Sequence, residues 1–151
     1  MTEIETPIKQ LPSIDTYRIL TLDNPENIGK LKTACKRAGH EVVPVYTIFE
    51  AMRFLETKDH VDVIVAAAHL ERESVFEFLK KVRDASSHLH GVKFLMLCAE
   101  PGPLGKATSS TVEIAANAMG ADKYILMPVF DAEELMREIA ELFPPIPSKE
   151  V

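Results

Sequence analysis

Few side chains in this sequence are spaced for covalent chemistry, and each candidate group falls short at a definable point. Gly102-Pro-Leu-Gly105-Lys106-Ala-Thr108 gathers glycine, lysine and hydroxyl as a phosphate-cradling loop does. Such a loop needs four residues between its glycines and Ser or Thr directly after the lysine. Here two residues intervene and Ala107 follows Lys106, so the segment reads as a surface loop. A long surface loop is a natural contact site. Asn24-x-Glu26-x-x-Gly29 has the spacing of the cobalamin motif Asp-x-His-x-x-Gly, but Glu26 cannot replace an imidazole donor to cobalt. It reads as a capped helix start. His69 follows an apolar run, and an imidazole can bind metal, yet no second ligand stands near it in the sequence. His88-Leu-His90 alternates, but before a strand, at the wrong end for a site. Cys35 and Cys98 form no metal-ligand spacing and read as reduced thiols. No nucleophile is paired with a base, so no enzymatic chemistry is expected.

Net charge is −6 over 151 residues. A nucleic-acid-binding chain would show a basic face and high pI, so nucleic acid is not an expected partner. No apolar run approaches a membrane span, and Met1-Thr-Glu-Ile-Glu-Thr lacks the basic-then-apolar layout of a signal peptide. A cytoplasmic location is the expectation, with no membrane and no cofactor. The cationic set Lys30, Lys32, Lys36 and Arg37 spans more than one helical face and reads as solvated surface.

The elements that must position any site alternate. Residues 1–16 show no sustained period and read as an N-terminal tail or arm, and residues 144–151, opening Pro144-Pro-Ile-Pro147, as a C-terminal tail. Residues 17–143 form one domain. Arg18-Ile-Leu-Thr-Leu22 is a first strand. Asn24-Pro25 caps a helix with Ile28, Leu31, Ala34, Cys35 and Ala38 on one face, closed by Gly39. The second strand, Glu41–Tyr46, contains Pro44, which cannot donate to a ladder, so it belongs at an edge. Thr47 with Glu50 makes a capping box for a helix facing inward through Ile48, Ala51, Met52 and Leu55. Val61 to about Ala67 is apolar on both faces apart from Asp62, as a central parallel strand requires. A helix with Val75, Phe78, Leu79 and Val82 follows, then a strand over Val92–Cys98. Ser110 with Glu113 predicts a capping box for a fourth helix, its buried face Ile114, Ala115, Ala118 and Met119, ended by Gly120. Lys123–Leu126 is a fifth strand. Asp131 with Glu134 opens a fifth helix facing inward through Leu135, Ile139 and Leu142. Strict alternation predicts a parallel sheet covered on both faces with right-handed crossovers. Function in such sheets sits past the carboxyl ends of the strands, near the order reversal.

In Met119-Gly-Ala-Asp-Lys-Tyr-Ile-Leu-Met-Pro-Val-Phe-Asp-Ala-Glu-Glu-Leu135 the chain resembles the receiver domains of two-component response regulators, which carry Gly-Ala-Asp-x-Tyr-hydrophobic-x-Lys-Pro-Phe there. Arg18-Ile-Leu-Thr-Leu-Asp-Asn and Asp62-Val-Ile-Val-Ala-Ala67 extend the likeness from about Tyr17 to Phe143. It implies a flavodoxin-like, doubly wound (βα)5 three-layer sandwich with strand order 2-1-3-4-5.

The functional positions depart from the pattern. Where receivers end the first strand with two acids that hold magnesium, this chain has Asp23 and Asn24. Ala67 stands at the phospho-acceptor aspartate, Cys98 at the Thr or Ser after the fourth strand, and Met127 at the lysine before Pro128. Glu71 replaces the proline four residues past the acceptor. Phosphoryl transfer to a carboxylate needs a nucleophile, a divalent cation and a charge partner. Ala67 supplies no nucleophile, and one carboxylate is a poor anchor for a cation that dehydrates reluctantly.

The resemblance therefore implies a non-phosphorylatable pseudo-receiver in a two-component or phosphorelay pathway. Its partner would be a protein, a second copy of the chain included, at the face of the fourth helix, fifth strand and fifth helix. Glu113, Asn117, Tyr124, Glu133 and Arg137 represent that face. The alternative is a regulatory domain whose vacated pocket around Asp23, Ala67, Cys98 and Met127 admits a small ligand, or whose Cys98 senses oxidants.

Overall fold

The computed structural model describes residues 16–57, 59–85, 87–89 and 91–143. Both expected tails, apart from Thr16, and His90 lie outside the described residues. Five strands, β1 (Arg18–Leu22), β2 (Glu41–Val45), β3 (Val63–Ala67), β4 (Lys93–Ala99) and β5 (Lys123–Met127), pair in parallel in the order β2-β1-β3-β4-β5. This is the flavodoxin-like order that the resemblance implies, and it agrees with Pro44, which lies on the edge strand β2 opposite Thr21.

Helices α1 (Pro25–Arg37), α2 (Ile48–Leu55), α3 (Val75–Asp84), α4 (Pro103–Ala107), α5 (Ser109–Ala118) and α6 (Ala132–Glu141) cover the sheet. Because side chains alternate across a strand, the core divides in two. One half joins Leu20, Ile64, Ala66, Phe94, Met96 and Cys98 to α2, α3 and α5, with the Phe78 and Phe94 rings 5.5 Å apart. The other joins Ile19, Val63, Val65, Leu95, Leu97, Ile125 and Met127 to Ile28, Leu31 and Cys35 of α1 and Leu135 and Ile139 of α6.

Local chemistry sets the helix ends. Asn24 Oδ1 accepts from Asn27 N at 2.9 Å with Pro25 at the first helical position. Thr47 Oγ1 accepts from Glu50 N, and Asp131 Oδ1 from Glu134 N. Gly39 and Gly120 take φ of +88° and +101°, where a side chain would be strained. The Glu50 carboxylate accepts from Tyr46 N, one residue ahead of the expected capping-box donor.

Two expectations fail. The expected loop over 100–110 contains the helical turn α4, and α5 then starts at Ser109 without a side-chain cap, so the Ser110–Glu113 box does not form. The buried face of α5 is Ser109 and Ala116, with Val112 partly buried, while Ile114 is 71 % exposed and Met119 38 %. Small Ala116, fully buried, lets the helix lie close to the sheet. A hydrogen bond of 2.8 Å between Ser109 Oγ and Tyr124 Oη fixes its rotation. The segment's apolar residues lie on several faces, so periodicity alone does not distinguish the two rotations.

Candidate functional site

The carboxyl ends of the strands bring Asp23, Ala67 and Met127 to one end of the sheet. Asp23 extends β1 and is 4 % exposed. Its Oδ1 accepts from Asn24 N at 2.7 Å and from Asn27 Nδ2 at 3.2 Å. Burial raises the Asp23 pKa, and these two hydrogen bonds work against the rise. Asn24 is exposed, its side-chain oxygen engaged as the α1 cap.

Ala67 closes β3 opposite Leu97 of β4. By strand alternation Ala67, Leu97 and Ile125 share a face, with Met127 one pleat further on. Ala67 is 6 % exposed, Leu97 2 % and Met127 3 %. No carboxylate or ammonium group lies in this row. Apolar packing replaces charge there, so the expected vacated pocket is filled. Beside it, a gap lined by Asp23, Lys30, Leu97, Glu100 and Phe130 encloses about 10 Å³, at or below what one water needs.

Cys98 departs from the expected grouping. Its register partner is Leu126, and its side chain enters the opposite core half, with Tyr124. It is a free thiol, 2 % exposed. Cys98 and Ala67 therefore lie on opposite sides of the sheet, and burial removes the geometric basis for a sensing thiol. Cys35 is likewise buried, its thiol pushed up to about 12 by burial. Pro128 is exposed.

Glu100 is a feature the sequence did not announce. It is the sole non-glycine residue of positive φ among those described, at +49°. Its N–H donates to Met127 O at 2.6 Å, and its carboxylate accepts from Lys30 Nζ at 3.1 Å and Phe130 N at 3.2 Å. Those bonds, the one from Phe130 first, hold its carboxyl below the usual range. Glu100 thus ties α1, the end of β4 and the β5–α6 turn together. No hydrophobic period marks such a residue; only the neighbouring Pro101 hints at a turn.

Open space lies to one side. A crevice of about 250 Å³ is lined by Asp23, Asn24, Pro25, Tyr46, Thr47 and residues 69–73. It sits where the β1–α1, β2–α2 and β3–α3 turns meet, at the order reversal. Its sequence signal was the charged run Glu71-Arg-Glu just past Ala67. Glu73 bonds Ile48 N at the start of α2 through both oxygens, at 3.1 and 3.3 Å. His69 lies against Gly105: a Cβ there would sit 2.8 Å from Pro101 Cβ and 3.4 Å from His69 Nε2. No group of three or more His, Cys, Asp or Glu among the described residues is arranged to hold a metal ion.

On the face of α5, β5 and α6, Glu113, Asn117, Glu133 and Arg137 are exposed. Arg137 pairs with Glu134 at 3.1 Å. Tyr124 is half-buried, its phenol pushed up to about 12 chiefly by burial. Apolar side chains also emerge on these elements and on α4: Leu104 at 76 %, Ile114 at 71 %, Leu126 at 40 % and Val129 at 76 % exposure.

This architecture is the fold of response-regulator receiver domains. The chemotaxis response regulator CheY4 of Vibrio cholerae is 25% identical over 85% of this chain and all of its own, with a TM-score of 0.68. A putative response regulator from Chloroflexus aurantiacus is 21% identical, with a TM-score of 0.69, over 85% of this chain and 98% of its own. The receiver domain of a Pseudomonas aeruginosa sensor histidine kinase, with magnesium coordinated in its active-site cleft, is 21% identical over 84% of this chain and 97% of its own, TM-score 0.65. No family model and no curated protein matches the sequence.

Proposed function

We propose that this chain is a receiver-type module of two-component signalling that accepts no phosphoryl group and acts by binding a protein partner. The observation that carries the reading is the methyl group of Ala67 at the end of β3, buried in an apolar row with Leu97 and Met127. The fold shared with receiver domains supports the signalling role. Asp23 alone stands where a cation would need several oxygen ligands.

The face of α5, β5 and α6 is the proposed partner surface. Exposed Ile114, Leu126 and Val129 offer apolar area worth roughly 1.5–3 kcal/mol per fully buried side chain. Exposed Glu113, Asn117, Glu133 and Arg137 supply a polar rim. Tyr124, held by Ser109, gives the face one fixed form.

The test is affinity capture by the wild-type chain and by an Ile114→Glu/Leu126→Glu variant, each with and without acetyl phosphate and magnesium. The same partner, or a second copy of the chain, is expected under both conditions with the wild type and with neither for the variant. Capture that requires the phosphodonor, or that survives both substitutions, overturns the reading.

A further inference from the structure

We propose that the crevice at the β1–α1, β2–α2 and β3–α3 turns binds an organic cation, a guanidinium or alkylammonium group seated on Asp23 with the Tyr46 ring over it. Three observations converge. First, Asp23 lines the crevice and is 4 % exposed, yet only its Oδ1 is hydrogen-bonded; Oδ2 has no partner among the described residues. That oxygen is open to solvent, the one sealed and unpartnered side-chain atom among the described residues being Thr21 Oγ1, so an entering cation can give it the charge-assisted hydrogen bond it lacks. The raised pKa of this group has burial as its first cause, in keeping with a missing charge partner.

Second, the charge of the crevice is acidic. Asp23, Glu71 and Glu73 line it against one guanidinium, Arg72, which makes no ion pair among the described residues. Glu73 also serves the start of α2. Three carboxylates against one guanidinium leave the lining acidic, which favours a cationic ligand. Third, Tyr46 lines the crevice with nearly half its surface exposed, and aromatic faces favour organic cations. The absence of a three-ligand cluster among the described residues points away from a metal ion.

The volume suits such a group. At ~30 Å³ per water, 250 Å³ holds about eight waters or a ligand with about as many non-hydrogen atoms. The guanidinium has two possible sources, a free small amine or an arginine side chain on a partner. This inference does not depend on the partner surface proposed above, which lies on other elements.

The experiment is a titration of the ¹⁵N-labelled full chain, followed by amide shifts of Asn24, Thr47 and residues 69–73. The probes are agmatine, the blocked peptide Ac-Gly-Arg-Gly-amide, its Gln counterpart and magnesium chloride. Saturable shifts are expected with at least one arginine-type probe, with Kd at least about tenfold below that of the Gln peptide. Agmatine binding as tightly as the peptide assigns the site to a free amine; binding by the peptide alone assigns it to a partner's arginine. Asp23→Asn should weaken binding at least about tenfold and Tyr46→Leu several-fold, both variants keeping the wild-type spectrum elsewhere. The proposal is overturned if neither arginine-type probe saturates by ~10 mM. It is equally overturned if the Gln peptide binds as well, if Asp23→Asn binds like wild type, or if only magnesium shifts these amides.

Discussion

The side chain at position 67 separates two chemistries on one backbone. A carboxylate there would be flanked by buried Leu97, with Met127 one pleat away, and the nearby ammonium of Lys30 is already engaged by Glu100. An Ala67→Asp variant is therefore expected to lose about 1–3 kcal/mol of stability at neutral pH, because a polar group enters an unprepared apolar row. The same variant should remain unmodified by acetyl phosphate with magnesium, since Asn24 and Met127 still deny it the second acid after β1 and a cation. Urea unfolding and intact mass measure the two effects. Unchanged stability together with ready modification would show that the row retains a working site. That Ala67 ends the third strand was legible in the sequence because the run before it is continuous and apolar. Cys98 was misread as its neighbour: sequence proximity to a strand end does not reveal on which side of the sheet a side chain falls until the ladder is known.

Elements whose apolar face is continuous were legible in the sequence. Val75, Phe78, Leu79 and Val82 of α3 are all buried as their spacing requires. In α5 the contrast between faces is weak, and Ser109 and Ala116 decide the rotation through one hydrogen bond and one close contact. Helix α4 was hidden because Gly102, Pro103 and Gly105 read as turn chemistry. Its close approach to Pro101 yields a direct test. Gly105→Ala places a methyl group 2.8 Å from Pro101 Cβ, and a loss of roughly 1–3 kcal/mol is expected in chemical denaturation. A neutral or stabilising result would mean that α4 does not lie this close to Pro101. At the opposite end of the sheet, Tyr17 stacks between Phe143 and His40, and Tyr17 N donates to His40 Nδ1 at 3.1 Å. Burial lowers the His40 pKa against the opposing pull of Asp62. The folded form thus prefers neutral imidazole. Its contribution is complete above the ordinary value near 6.5 and declines as pH falls below it toward the lowered folded value. Urea unfolding across pH 7.5 to 5 should show this decline in the wild type and a shallower one in His40→Gln; identical slopes would exclude the coupling.

At the scale of the molecule, one sheet carries three separate regions. The ends of β3, β4 and β5 form an apolar row closed over by Glu100, Lys30 and Phe130. The turns after β1, β2 and β3 enclose an acidic crevice. The surface of α5, β5 and α6 exposes apolar and charged side chains side by side. No helix among the described residues is long and apolar enough to cross a membrane. Parallel pairing followed from alternation, and strand order from the resemblance, with Pro44 marking the edge. The three-way division did not, because it depends on which neighbours each strand acquires. The proposal that the end of β3 accepts no phosphoryl group is tested most directly by the intact mass of the purified chain after incubation with acetyl phosphate and magnesium. An unchanged mass is expected, while a stable gain of one phosphoryl group, mapped to any residue at the strand ends, would contradict it.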